Sequence, residues 1–292
     1  RAAKEFDGAT PTAVLPHLIE AKKLLAGRTD HYSVLKLRDL DEAIALVAGL
    51  WTELQADKYL AVQGTTAKIK IAAIQRNGAE VSLQSVAFSG VPGVVNAVKA
   101  TKLEPNKTLT VPLDWAVAAD APLTQPYFLV EQRSDAMFKV SDMNLLGRPQ
   151  SPAPVIATVK FLVAGSEITL TREITHRYVD RGVGELTRPV TIVPPVSVRL
   201  ALDALVFPGV ESRKVEVILT SNMADTKGSL KLNVPQGWRV EPAALEFSVK
   251  AAAEEKTLSF VVTPPAGENT GTLTAVAAVG GREITQGTRV IE

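Results

Sequence analysis

The chain has 292 residues, 32 basic and 31 acidic, for a net charge of +1, and it has no cysteine. That length exceeds what one hydrophobic core usually fills, so more than one domain is expected. The balanced charge, with no Lys/Arg run, excludes an electrostatic footprint for nucleic acid, and the absence of cysteine excludes disulfides, thiolate nucleophiles and Cys-ligated zinc. The apolar runs fall short of the roughly 20 residues needed to span a bilayer, so no transmembrane segment is expected. Absence of cysteine is compatible with a periplasmic or secreted setting. A start at Arg1, with neither initiator Met nor signal-peptide pattern, reads as a processed product or an excised fragment.

The first sixty residues are rich in Ala and Leu. A first helix is expected from Thr10-Pro11 to Gly27, opened by a Thr cap and Pro and closed by Gly. A second helix places Leu37, Leu40, Ile44, Val47, Trp51 and Leu54 at spacings of three and four, which gathers them into one apolar stripe. Asp39, Asp41 and Glu42 fall near its expected start, where carboxylates complement unpaired amides and the helix dipole.

After Gly64 the period changes to two. Ile69 and Ile71, then Val81 and Leu83, flank Arg76-Asn77-Gly78, and Asn-Gly between alternating runs signals a hairpin. Further strands are expected over Thr108 to Leu113, Val155 to Val163 and Glu167 to Tyr178, the last two joined by Ala164-Gly165-Ser166. Between Asp114 and Pro154 lies a Pro-rich loop, of a length that is usually functional or covers a sheet edge. Pro189, Pro194 and Pro195 mark a domain boundary. The final hundred residues give about seven short strands with regular turn signals, as in an immunoglobulin-like sandwich. The expected fold is mainly β: a helical hairpin over residues 1–63, a first β-sandwich with a long loop over 64–190, and an Ig-like β-sandwich over 191–292.

Two resemblances follow from particular motifs. Asn222, Pro235-Gln236-Gly237-Trp238, Pro264-Pro265-Ala266-Gly267 and Gly271-Thr272-Leu273-Thr274-Ala275 resemble the NPCBM-associated Ig-like module of alpha-galactosidases. Thr124 to Leu129, Leu146-Gly147-Arg148-Pro149, Arg172 to Asp180 and Gly184-Glu185-Leu186-Thr187-Arg188-Pro189 are similar to the region after the catalytic domain in secreted bacterial deacetylases of the PIG-L/LmbE type. That resemblance implies a parent acting on amino-sugar substrates, with zinc in a preceding catalytic domain of the same polypeptide. The family's His-Pro-Asp-Asp motif is absent from these residues, so no catalytic, cofactor or metal residue is assigned to this chain. The helical hairpin is expected to dock on that preceding domain, leaving the stripe with Trp51 partly uncovered.

Candidate sites weigh mostly toward packing. His17, His31 and His176 have no i, i+4 pairing of a helical zinc site, and His176 near Asp180 reads as structural. Arg177, Asp180, Arg181, Glu185 and Arg188 read as a salt-bridge network at least as readily as a ligand site. Among aromatics, Trp51 and Trp238 are expected to be buried. Trp115 and Tyr127, which bracket the long loop, are the candidates for contact with a glycan. The main functional reading is a non-catalytic accessory region of a secreted or periplasmic enzyme. The rival is a freestanding carbohydrate-binding or cell-surface adhesion module, and an enzyme of unknown chemistry ranks last.

Overall fold

A computed structural model describes residues 1–90 and 98–288, and it is mainly β with a short helical region at the N-terminus. The chain divides into two compact units, residues 1–61 with 65–191 and residues 62–64 with 192–292. The chain passes between them in β2 (Leu60–Val62), near Gly64, and in β10 (Thr191–Val193).

The first unit opens with α1 (Ala2–Glu5), a 3-10 turn (Pro11–Val14) and α2 (Leu15–Leu25), followed by α3 (His31–Val47). Asp30 caps α3 by accepting from Ser33 N at 3.0 Å, which satisfies one of the unpaired amides of the first turn. Asp39, Asp41 and Glu42 are therefore well inside the helix and do not cap it. Helix α3 stops at Val47, because Gly49 adopts φ +65°, a left-handed turn that glycine makes without Cβ strain. From Leu50 the burial period is two: in β1 (Leu50–Ala56), Leu50, Thr52, Leu54 and Ala56 are buried and Trp51 faces outward, 43% exposed. Leu54 and Trp51 are thus not part of a helical stripe, Trp51 is not buried, and the helical region ends at Val47 and not at residue 63.

The remaining strands of this unit are β3 (Thr66–Gln75), β4 (Val81–Ser89), β5 (Thr101–Lys102), β6 (Leu109–Ala116), β7 (Ile156–Val163), β8 (Ser166–Asp180) and β9 (Gly184–Pro189). They run in the order β5-β4-β7-β8-β1-β3-β6, with β9 also on β8. The turn between β7 and β8 is a two-residue hairpin with positive φ at Ala164 (45°) and Gly165 (80°), the twist that joins right-handed strands closely. The Asn77-Gly78 turn joins no hairpin. β3 pairs with β1 and β6, β4 pairs with β5 and β7, and the turn carries the chain from one set of strands to the other. Ile71, Leu83, Trp115, Phe161, Ile168 and Leu170 are wholly buried, and each large apolar side chain so buried contributes about 1.5–3 kcal/mol.

Besides burying Leu15, Ile44 and Ala45, the helices join this sheet through polar contacts. Over Ser166 to Glu173, β8 is paired with β7 on one side. On the other side Glu167 O accepts from Lys22 Nζ, and Thr169 N donates to Asp41 Oδ2 at 3.0 Å. Lys22 Nζ and Asp41 Oδ1 are themselves 2.5 Å apart, with side chains 20% and 9% exposed. Helices α2 and α3 thus supply the donor and acceptor that a neighbouring strand would give. Next along, Arg172 forks onto Glu42 of α3 (2.6 and 3.0 Å) while its Nε reaches Thr52 O at 3.3 Å. Asp41 and Glu42 are partners of the sheet.

The second unit holds two four-stranded sheets. One is ordered β11 (Val196–Leu200), β12 (Arg213–Ser221), β16 (Glu255–Thr263), β14 (Arg239–Glu241), and the other β15 (Leu245–Val249), β13 (Thr226–Asn233), β17 (Thr274–Val279), β18 (Arg282–Ile284). Val217, Leu219, Leu230, Phe247, Val249 and Phe260 form its core, from alternating positions on both sheets.

Replacing Lys22 with Met is expected to cost about 3 kcal/mol in urea denaturation, because Asp41 is left buried without its counter-charge. The double variant Lys22→Met, Asp41→Leu should recover part of this and still fall about 2 kcal/mol short, since Glu167 O and Thr169 N lose their partners. Full recovery would mean the pair acts only as an ion pair.

Candidate functional site

Trp115 lies on β6 with no exposed surface, and its indole N–H has no hydrogen-bond partner among the described residues. It is a core residue and cannot stack on a sugar. The alternation of β6 decides this: Leu113 and Trp115 point inward, Pro112 and Asp114 outward. Tyr127 starts a short 3-10 turn in the long loop, half-buried. Its OH donates to Arg148 O (3.1 Å), its N–H donates to Ser151 Oγ (2.8 Å), and its ring meets Phe128 edge-on at 5.4 Å. Phe128 in turn meets Phe138 at 5.2 Å. The loop therefore has its own aromatic fastening, in which the Tyr127 hydroxyl is already engaged.

The stretch from Arg172 to Pro189 resolves into a fastened hairpin of β8 and β9. His176 donates from Nδ1 to Ala56 O (3.0 Å) and stacks on Tyr178 with ring centroids 5.7 Å apart. The Arg188 guanidinium lies over Tyr178 (5.1 Å) and over Tyr59 (5.5 Å), cation–π contacts that join β9 to the segment after β1. Arg177 pairs with Glu53 and, at 3.5 Å, with Glu185. Burial lifts the Glu53 carboxyl above its ordinary value, and the Arg177 charge pulls the other way. At the tip, Asp180 accepts from Gly182 N (2.8 Å) and Val183 N (2.9 Å), and these two bonds hold its carboxyl below the usual range. Within the polar cluster Arg177 pairs with Glu185, and it also pairs with Glu53, which lies outside the cluster. Arg188 makes ring contacts, and Asp180 shapes the turn.

The histidines are dispersed: His17 bonds Glu5 at 2.7 Å, His31 meets Tyr32 edge-on, and His176 bonds a backbone carbonyl. Among the described residues no group of three or more His, Asp or Glu side chains could hold a metal ion.

In the second unit the Pro-Gln-Gly-Trp turn is likewise held by local bonds and packing. Trp238 N donates to Pro235 O at 3.2 Å, closing the turn. The Trp238 ring packs against the core, edge-on to Phe207 at 5.0 Å, with Nε1 donating to Asn269 Oδ1 at 3.3 Å. Gly271 sits so close to Pro235 that a Cβ there would lie 2.3 Å from the proline Cγ. Asn222, after β12, donates through Nδ2 to Pro194 O (2.8 Å) and Ser197 Oγ (3.2 Å), tying the start of β11 to the sheet.

Residues 208–280, from before β12 through β17, match the family described as the NPCBM-associated, NEW3 domain of alpha-galactosidase. No curated protein matches the chain. Among solved structures, red sea bream transglutaminase aligns over 87% of this chain and 34% of its own at 10% identity and TM-score 0.36. The D0-D1 domain of intimin aligns over 81% and 98% at 14% identity and TM-score 0.23. The native conformation of E. coli alpha-2-macroglobulin aligns over 81% and 16% at 12% identity and TM-score 0.27. The chain spans about a third of the transglutaminase it aligns with. The C-terminal unit is an accessory β-sandwich module with the NEW3 signature, and among the described residues no helix is long and apolar enough to cross a membrane.

Gly271→Ala should destabilise the second unit by about 1–3 kcal/mol, since Pro235 has no flexible end to yield, and leave the first unit's unfolding unchanged in calorimetry. Because the Asp180 carboxyl is held below its unfolded value, its contribution is present above the ordinary aspartate range and is lost as pH falls through the lowered folded value. Protection of the Gly182 and Val183 amides, measured against their intrinsic exchange rates, should therefore fall selectively on acidification, and Asp180→Asn should show less of this acid-induced change.

Proposed function

We propose that this chain is a non-catalytic accessory and structural region that supports a carbohydrate-active catalytic domain in the same secreted or periplasmic polypeptide. The observation that carries the reading is the match of residues 208–280 to the family described as the NPCBM-associated, NEW3 domain of alpha-galactosidase. A parent of the PIG-L/LmbE type, a zinc-dependent N-deacetylase of amino sugars, is the specific form of the proposal. It rests on the resemblance of Arg172 to Pro189 and of the loop motifs. The supporting feature is that each of His176, Arg177, Tyr178, Asp180, Glu185 and Arg188 serves to fasten the β8–β9 hairpin. Motifs used in this way belong to a scaffold. A sugar platform at Trp115 is not part of the proposal, since that ring has no exposed face.

The 292-residue chain, supplied with zinc, should release no acetate from N-acetylated amino sugars and should not be retained on N-acetylated polysaccharide. The natural polypeptide carrying it should release acetate, and removal of this region should lower the melting temperature of the catalytic domain. Acetate release or saturable glycan binding by the isolated chain would overturn the accessory reading. A polypeptide without any catalytic domain would overturn the assignment of a parent enzyme.

A further inference from the structure

The Asn77-Gly78 turn makes no hairpin, and its hydrogen bonds show another use. Asn77 Nδ2 donates to Val47 O, the last carbonyl of α3, at 3.1 Å. Arg76 N donates to Gly49 O at 3.1 Å, and Gly78 N donates to Oε1 of Gln75, a side chain 1% exposed, at 3.0 Å. Asn77 packs so closely on Gly49 that a Cβ at that glycine would stand 2.8 Å from both Asn77 Cγ and Asn77 N. The turn is a latch on the C-terminus of α3.

An asparagine followed by glycine is also chemically labile, because the next residue offers no side chain to hinder attack by its own amide nitrogen. In the closed latch both reacting groups are engaged: the carboxamide by Val47 O, the Gly78 N–H by Gln75. We propose that Asn77 is a site of spontaneous deamidation which the latch holds unreactive, and that the modification irreversibly frees the C-terminal turn of α3. When the latch opens locally, Gly78 N bonds to Asn77 Cγ and the Cγ–Nδ2 bond breaks. Ammonia leaves with the proton given up by Gly78 N. Water then opens the cyclic imide at either carbonyl, leaving an aspartyl or isoaspartyl linkage. The product carboxylate has no N–H to give Val47 O, and it meets the negative end of the α3 dipole. It cannot re-form the bond it replaced.

Tryptic cleavage after Arg76 gives a peptide beginning at Asn77, so fragment-ion mass spectrometry locates the change. In the native chain deamidation at Asn77 should run at least about tenfold slower than in the urea-unfolded chain, the factor given by a local opening cost of about 1.4 kcal/mol. Two variants open the latch without altering the reacting pair: Gly49→Ala, which displaces Asn77, and Gln75→Met, which frees the Gly78 N–H. Each should accelerate the reaction under native conditions, and the purified deamidated chain should exchange its Ala48 and Gly49 amides faster than the unmodified one. Equal rates in native and unfolded wild-type chain would overturn the proposal, whether or not the variants fold. Folded variants reacting at the wild-type rate, or a deamidated chain with unchanged exchange at Ala48 and Gly49, would do the same.

Discussion

The open side of β8 is the constraint on which the first unit depends. A 15-residue strand paired with β7 over its first half leaves backbone groups facing away from that partner, and such groups must be satisfied or wetted. Lys22 and Asp41 satisfy them with side chains, from two different helices. The ion pair between those side chains orders both groups at the strand, so the helical hairpin becomes part of the sheet's bonding. Arg172 continues the arrangement, linking Glu42 of α3 to Thr52 O of β1. Further along, β1 takes over as a parallel neighbour at Ile174 and Thr175. Helix, charge and strand thus share one edge in succession.

The same economy governs the segments that carry the family resemblances. The β8–β9 hairpin is held by ring stacking, a guanidinium over two tyrosines and an aspartate that closes its tip. In the second unit, Pro235, Trp238, Asn269 and Gly271 make one packed corner, and Asn222 anchors the entry to β11. These residues are specified by backbone geometry and packing. Their chemistry is that of a scaffold, in agreement with an accessory role and with the use of the Trp115 ring as core.

Much of the fold was legible because hydrophobic period and turn chemistry agree: α2, β6 to β8, the tight turn at Ala164-Gly165 and the sandwich after the Pro-rich junction all follow from local pattern. The errors have local causes too. Leu37 to Leu54 keeps helical spacing across Gly49, and only that glycine's left-handed turn reveals that Trp51 and Leu54 belong to a strand. Asn77-Gly78 has the chemistry of a hairpin turn, but strand partners lie far away in sequence, and β3 and β4 pair elsewhere. Asp41 and Glu42 looked like capping carboxylates because the true cap, Asp30, lies nearly a dozen residues earlier. Trp115 beside a long loop suggested exposure, where the alternation of β6 buries it. Lys22 gave no signal at all: a lysine near a helix end is ordinary, and its partners at positions 41 and 167 are brought to it only by the tertiary fold.

The most direct measurement is amide hydrogen exchange at Thr169 by NMR, in the wild type and in Asp41→Ala. If Asp41 acts as the missing strand, Thr169 is protected in the wild type like a sheet-interior amide and loses that protection in the variant, while Ile168 and Leu170 stay protected. A Thr169 amide that exchanges freely in the wild type, or that keeps its protection without Asp41, would contradict the capping of β8 by the helices.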